Sequence, residues 1–122
     1  MSEVISRSEA REAAFRVLYS QTITAETLEL ALDGKRASEP ERKFIEKILV
    51  TYKENKDGID AKAALGERIK KVDEALLRLY WTELLIGEVA KPVIVNECVN
   101  LAKRYSGDES AGFINGVLRN DK

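Results

Sequence analysis

Histidine is absent from the 122 residues, cysteine occurs once, at Cys98, and proline only twice. Each scarcity excludes a class of chemistry. Without His no His-based catalytic triad can be built, and with a single Cys neither a zinc finger nor an internal disulfide can form. Only carboxylates and amines are left to act as general acid or base. No apolar run approaches the ~20 residues of a membrane helix. Met1, Ser2, Glu3, Val4 and Ile5 lead straight into polar residues, so no signal peptide is expected, and the lone thiol fits a reducing cytoplasm. Charge of one sign is lacking too: 20 Lys and Arg stand against 21 Asp and Glu, a net charge of -1. A basic excess would by itself suggest nucleic acid. Here any polyanion site must be local, or completed by another protein. There is no phosphate-cradling glycine loop and no dinucleotide-binding glycine fingerprint. The expectation is a non-enzyme with no cofactor and no metal.

What is present is helical patterning. Hydrophobic residues make up 44% and charged residues 34%, the balance of a globular domain that buries roughly 65% of its unfolded surface. Residues 1–122 read as one domain without internal repeats. No stretch alternates apolar and polar residues as a strand requires, whereas period-3.6 patterns run almost throughout. The first helix is predicted from Ser6 or Ser8 to about Gln21, with Ala10, Ala14, Val17 and Leu18 inward. A second runs from Ala25 to Leu32, carrying Leu28 and Leu32, and stops at Asp33-Gly34. Ser38 and Glu41 form a capping-box pattern ahead of a stripe of Phe44, Ile45, Ile48, Leu49 and Tyr52. Asp57-Gly58 marks a turn or a kinked continuation, followed by a weaker helix at about Ile59 to Leu65, closed by Gly66.

Val72 to Ile86 is the most hydrophobic segment. Leu76, Leu77, Leu79, Tyr80, Leu84 and Leu85 cover more than one face, which places this helix at the centre, with Asp73 favourable in its first turn and Gly87 at its end. Pro92 opens the next helix, expected to bury Val95, Val99 and Ala102 with Cys98 alongside, and to carry Lys103 and Arg104 in its last turn. Ser106-Gly107-Asp108 turns the chain into a final helix from Ser110 to Asn120, with Ile114, Val117 and Leu118 inward. Seven helices with short connections leave no room for a sheet. The expected class is all-α, a compact bundle.

Two regions could meet a polyanion. On the first helix Arg7 and Arg11 lie one turn apart, and Phe15 and Tyr19 continue that side. A guanidinium can fork onto phosphate and an aromatic ring can stack an unpaired base. Glu9 and Glu12 interrupt the patch, Glu12 and Arg16 form an ordinary pair one turn apart, and Phe15 reads as core. On the last helix Phe113 lies off the inward stripe, near a helix N-terminus whose amides can seat a phosphate, although such a ring more often packs against a neighbouring helix. Gly116 suggests a close helix crossing, Asn96 a buried amide, and Cys98 a small core residue.

The chain also resembles a known family. Val72-Asp73-Glu74-Ala75-Leu76-Leu77-Arg78-Leu79 with Glu83-Leu84, then Val95-Asn96-Glu97-Cys98-Val99, Leu101-Ala102-Lys103-Arg104-Tyr105, and Ser110 ahead of Phe113-Ile114-Asn115-Gly116-Val117-Leu118, is similar to the NusB family of bacterial transcription antitermination factors. Ala10-Arg11-Glu12-Ala13-Ala14 with Leu18-Tyr19-Ser20 matches that family's first helix, and the likeness is loose from Thr22 to Gly66. The resemblance implies a seven-helix bundle of two packed three-helix groupings. It implies binding of the boxA element of nascent ribosomal RNA together with NusE, a ribosomal small-subunit protein. Other Nus factors and RNA polymerase would be reached through that complex, in a reading-through of terminators that needs neither catalysis nor cofactor.

Carried over position by position, the RNA surface includes Arg7, Arg11, Tyr19, Glu109, Ser110 and Phe113, the first and last helices converging on one patch. The partner surface draws on the start of the central helix, around Asp73. Departures from the family pattern are Ser8 and Glu9 where arginines are common, Thr82-Glu83-Leu84 in place of Tyr-Glu-Leu, and a late Pro92. Fewer arginines imply weaker RNA binding by the protein alone. Alternatives are a domain akin to the amino-terminal part of a ribosomal RNA cytosine methyltransferase, for whose catalytic domain 122 residues leave no space, or a protein-binding scaffold without RNA contact. The sequence leaves both monomer and homodimer open.

Overall fold

The computed structural model describes residues 4–65 and 69–120, and among them seven α-helices and no strand. They are α1 (Arg7–Ser20), α2 (Ala25–Leu32), α3 (Glu39–Glu54), α4 (Lys56–Ala64), α5 (Lys71–Ile86), α6 (Lys91–Tyr105) and α7 (Asp108–Arg119). The only extended pairing among these residues is a single bridge between Val4 and Arg36 that ties the chain's start to the α2–α3 connection. The proposed closure at Gly66 lies outside the described residues.

Local chemistry sets most boundaries. Ser6 caps α1: its hydroxyl accepts from the Glu9 amide at 3.0 Å while the Glu9 carboxylate accepts from the Ser6 amide at 3.0 Å. Thr24 and Thr27 make the same reciprocal cap at α2. Gly87 ends α5 at φ 74°, a left-handed value that glycine adopts without steric penalty. The capping box expected at Ser38 does not form. The Ser38 hydroxyl instead donates to Glu41 Oε1 at 2.7 Å, because that carboxylate is drawn outward by Arg7 Nε at 2.9 Å. Asp57 and Gly58 fall within the first turn of α4, so the break between α3 and α4 comes earlier, at Asn55.

α5 is the axis. It packs against α1, α3, α4, α6 and α7, and Ala75, Leu76, Leu77, Leu79 and Tyr80 along it are fully buried. α1, α2 and α3 group on one side and α6 and α7 on the other, with α4 bridging α3 to α5. Asp60 of α4 fastens that bridge: its carboxylate accepts from Tyr52 Oη at 2.7 Å, Arg78 Nε at 2.9 Å and Lys56 Nζ at 2.8 Å.

Four details differ from the sequence reading. α6 buries Ile94, Cys98, Leu101 and Ala102, leaving Val95 and Val99 half-buried, because contact with both α5 and α7 rotates the stripe by one residue. Asn96 is exposed. Leu85 is exposed at the end of α5, where no neighbouring helix covers it, and Leu84 and Val117 are half-buried. Gly116 allows no close crossing, since a Cβ there would meet nothing within 4 Å.

Far-ultraviolet circular dichroism should show a dominantly helical spectrum, and a substantial strand component would refute the fold. Leu77→Ala should cost about 2–5 kcal/mol in urea denaturation, because it empties a site with no solvent exposure in the most enclosed helix. A loss below about half a kilocalorie would contradict that packing.

Candidate nucleic-acid interface

Arg11 was expected at an RNA surface and is instead 2% exposed. Its Nε donates to Glu83 Oε2 at 2.5 Å and its Nη2 to Glu83 Oε1 at 3.0 Å, a two-pronged pair across the α1–α5 contact. Its Nη1 reaches Glu97 Oε1 on α6 at 2.6 Å, and Ser8 donates to the same oxygen at 2.6 Å. Burial alone would lower the guanidinium pKa; hydrogen bonding and charge from Glu83, with the charge of Glu97, outweigh it and raise the pKa. A guanidinium enclosed at 2% exposure and held by two carboxylates is committed to holding helices together. The correction has a readable cause. Glu83 follows Leu79 and Tyr80 on the inward stripe of α5, and a carboxylate there requires an opposite charge from whichever helix packs on it.

Arg7, one turn earlier, keeps its side chain half exposed. Its guanidinium stands 4.4 Å from the centre of the Phe44 ring, and that of Arg11 is 5.1 Å from the same ring. Phe44, read from sequence as stripe, is therefore the surface on which both cations rest. Beside it a cleft of about 490 Å³ is lined by Arg7, Lys43, Phe44, Lys47, Glu83 and Glu88 among others. Its basic groups are matched by acids: Arg7 pairs with Glu41, Lys43 with Glu39 and Lys47 with Glu88. Glu12 keeps its expected pair with Arg16 at 3.9 Å and also accepts from Tyr105 Oη at 2.5 Å and Arg104 Nη1 at 2.6 Å.

Tyr19 is 47% exposed, and its ring sits 6.2 Å from that of Phe15, which is core as expected. This leaves the outer face of Tyr19 open for stacking.

The remaining candidates meet at the start of α7. Gly107 precedes the helix at φ 113°, a backbone state reserved for glycine, and no side chain caps the helix. A pocket of about 220 Å³ opens there, lined by Ile69, Lys70, Asp73, Glu109, Ser110 and Phe113. Phe113 is 38% exposed at its edge. Ser110 is 1% exposed, and its hydroxyl bonds the Ser106 hydroxyl at 2.8 Å. Glu109 extends into solvent, 3.5 Å from Lys70. Asp108 and Glu109 in the first turn complement the helix dipole and stand near Lys103 and Lys70 respectively.

Asp73, expected near a partner surface, is itself 4% exposed and lines the pocket that Phe113 borders, while Lys71 beside it is exposed. Burial raises the Asp73 pKa, opposed by hydrogen bonding from Ser110 and the charge of Lys70.

Arg7 and Phe113 sit at opposite ends of α5. Arg7 lies beside Glu83 and Ile86 at the end of α5, and Phe113 beside Asp73 at its start. Ten to thirteen residues of helix separate these points, roughly 15–20 Å. α7 packs on α6 and α5, and α1 is bonded to both, so the first and last helices are joined through these two helices.

Arg11→Ala should destabilise the protein by about 3–5 kcal/mol, because it strands the buried Glu83 without a counter-charge. Arg7→Ala should cost less than about 1 kcal/mol, since its pair with Glu41 is solvated. Urea melts of the two variants settle the contrast, and equal losses would overturn it.

Comparison with known proteins agrees with this architecture. The sequence profile of the NusB family matches residues 8–121. A transcription antitermination protein NusB from Clostridium botulinum (strain Loch Maree / Type A3) is 38% identical, the match covering 93% of this chain and 97% of that protein. One from Bacillus mycoides (strain KBAB4) is 36% identical over 97% of this chain and 98% of its own. Among solved structures, T. maritima NusB superimposes with a TM-score of 0.81 at 27% identity, over 98% of this chain and 90% of that one. A crystal structure of antitermination factors NusB and NusE in complex with dsRNA gives 0.80 at 25% identity, over 93% and 92%. These relatives are named as antitermination factors and not as enzymes. On sequence and on fold together, the chain belongs to the NusB family.

Proposed function

We propose that the protein is an antitermination factor that binds boxA-type RNA together with NusE, and so helps RNA polymerase read through terminators. The observation that carries this reading is Phe113: a ring 38% exposed at the lip of a pocket, in a family with a solved complex of NusB, NusE and dsRNA. An exposed ring beside a polar recess suits an unpaired base, which stacks on the ring and turns its polar edge inward. Tyr19 supplies a second open ring, and Arg7 is the cation of the predicted set left accessible for phosphate. Glu109 and Ser110 shape the pocket that Phe113 borders. Arg11 acts here as a positioning residue, holding α1 against α5 and α6.

Charge supports dependence on the partner. The net charge is -1, and Arg7, Lys43 and Lys47 each already face a carboxylate. With little unpaired positive charge on this face, affinity for a polyanion must draw on a composite surface.

Phe113→Ala should weaken binding of a boxA-like RNA by about 1–3 kcal/mol with the salt slope unchanged, the signature of a lost stack and not of a lost phosphate contact. Adding cognate NusE should tighten RNA binding by about tenfold, or about 1.4 kcal/mol. Titrations followed by fluorescence anisotropy, with melting temperatures measured in parallel, test both. Unchanged RNA affinity in a folded Phe113→Ala protein refutes the stacking role; equal binding with and without NusE refutes the composite surface.

A further inference from the structure

We propose that Lys103 and Arg104, in the last turn of α6, hold the RNA backbone by its phosphates where the strand passes from Tyr19 to Phe113. The two rings stand at the same end of the bundle. Arg11, early in α1, bonds Glu83 toward the end of α5, and Tyr19 lies twelve residues beyond Arg7, roughly 18 Å further along the helix. α1 therefore runs from the end of α5 toward its start. α6 runs the same way: Cys98 Sγ is 3.8 Å from the Leu76 carbonyl oxygen, and α6 closes on Tyr105, whose ring centre is 4.9 Å from that of Phe15, the neighbour of Tyr19. Phe113 borders the pocket at the start of α5, and the 2.8 Å bond between the Ser106 and Ser110 hydroxyls ties the end of α6 to the start of α7. The last turn of α6 thus joins the helix that carries one ring to the helix that carries the other. Its two cations are the accessible ones there: the side chains of Lys103 and Arg104 are 70% and 66% exposed. Their counter-charges leave a positive outer surface. One carboxylate, Glu12, serves both Arg104 at 2.6 Å and Arg16 at 3.9 Å, and at 15% exposure it lies beneath the guanidiniums. Lys103 stands 4.0 Å from Asp108, which is itself 90% exposed, and so open a pair holds its cation weakly against a phosphate. Each cation of the Arg7 cleft, by contrast, has an acid of its own. A guanidinium can fork onto a phosphate and an ammonium meets it as a point charge, so the two side chains suit successive phosphates between stacked bases.

This assignment rests on the RNA-binding reading above, and salt dependence separates the two. A single-stranded boxA-like RNA is titrated at several salt concentrations, in the presence of cognate NusE, into the wild type, Phe113→Ala and two double variants. Lys103→Ala with Arg104→Ala should weaken binding by about tenfold at ~0.15 M salt and lower the salt slope by about 1.4, the loss of two single-strand phosphate contacts. The loss should shrink toward ~1 M salt, where counterion release no longer drives binding. Lys103→Arg with Arg104→Lys keeps both charges and should keep the slope. Glu12 retains Tyr105 and Arg16 in every variant, so melting temperatures should stay close to that of the wild type. Phe113→Ala should weaken binding with the slope unchanged. If the double alanine variant binds as the wild type does, or binds more weakly with an unchanged slope, the assignment of Lys103 and Arg104 is overturned while the role of Phe113 stands. If no RNA binds, or Phe113→Ala binds as the wild type does, the stacking reading falls and the assignment falls with it.

Discussion

A charge cannot be left alone in a packed interior, and Arg11 with Glu83 and Glu97 is this protein's answer to that constraint. Glu83 lies within the central helix and is 2% exposed, as is Arg11. Separately each would be prohibitive to bury; together, with Glu97 and Ser8 completing the cluster, they fasten α1 to α5 and α6 at a defined register. Apolar packing tolerates some sliding of one helix along another. A two-pronged guanidinium–carboxylate pair does not, because the fork must meet both oxygens. The placement of Arg7 over Phe44 and the exposure of Tyr19 three turns later both follow from α1 being held in that register.

That clamp also redistributes function along α5. One end presents Arg7 and a cleft whose cations are matched by acids; the other presents Phe113, Ser110 and Asp73 around an acidic recess. A near-neutral protein whose exposed cations are largely paired fits the proposed role in which a partner supplies positive charge.

Much of the fold was legible in residue order because helices are local objects. The limits of α2, the stop at Gly87 and the caps near Ser6 follow from neighbours within four residues. The central position of α5 was legible as well, since an apolar surface wider than one stripe must be covered on several sides. The rest was not legible for an equally physical reason. Whether α6 turns Ile94 or Val95 inward depends on the angle at which α5 and α7 meet it, and Leu85 is apolar yet finds no helix to cover it. Ser38 kept its place at the start of α3 but gave its hydroxyl to a carboxylate that Arg7, far away in sequence, had drawn aside.

The candidate site shows the same division most sharply. Residue types and spacing alone singled out Arg7, Tyr19 and Phe113 as groups able to meet RNA, and the structure leaves all three accessible. Arg11 has the same spacing and the same chemistry as Arg7, and sequence could not tell them apart. One faces solvent and the other a buried glutamate, a difference made by the rotation of α1 against α5. Asp73 likewise reads as a helix-start carboxylate on an exposed turn, until α7 closes over it and turns it into the wall of a pocket. Sequence by itself determined which segments are helices and which side chains carry usable chemistry, because both depend on bonds and neighbours along the chain. Tertiary structure decided which of those side chains are spent on holding the helices together and which remain free to bind, because burial and counter-charge arise only where distant helices meet.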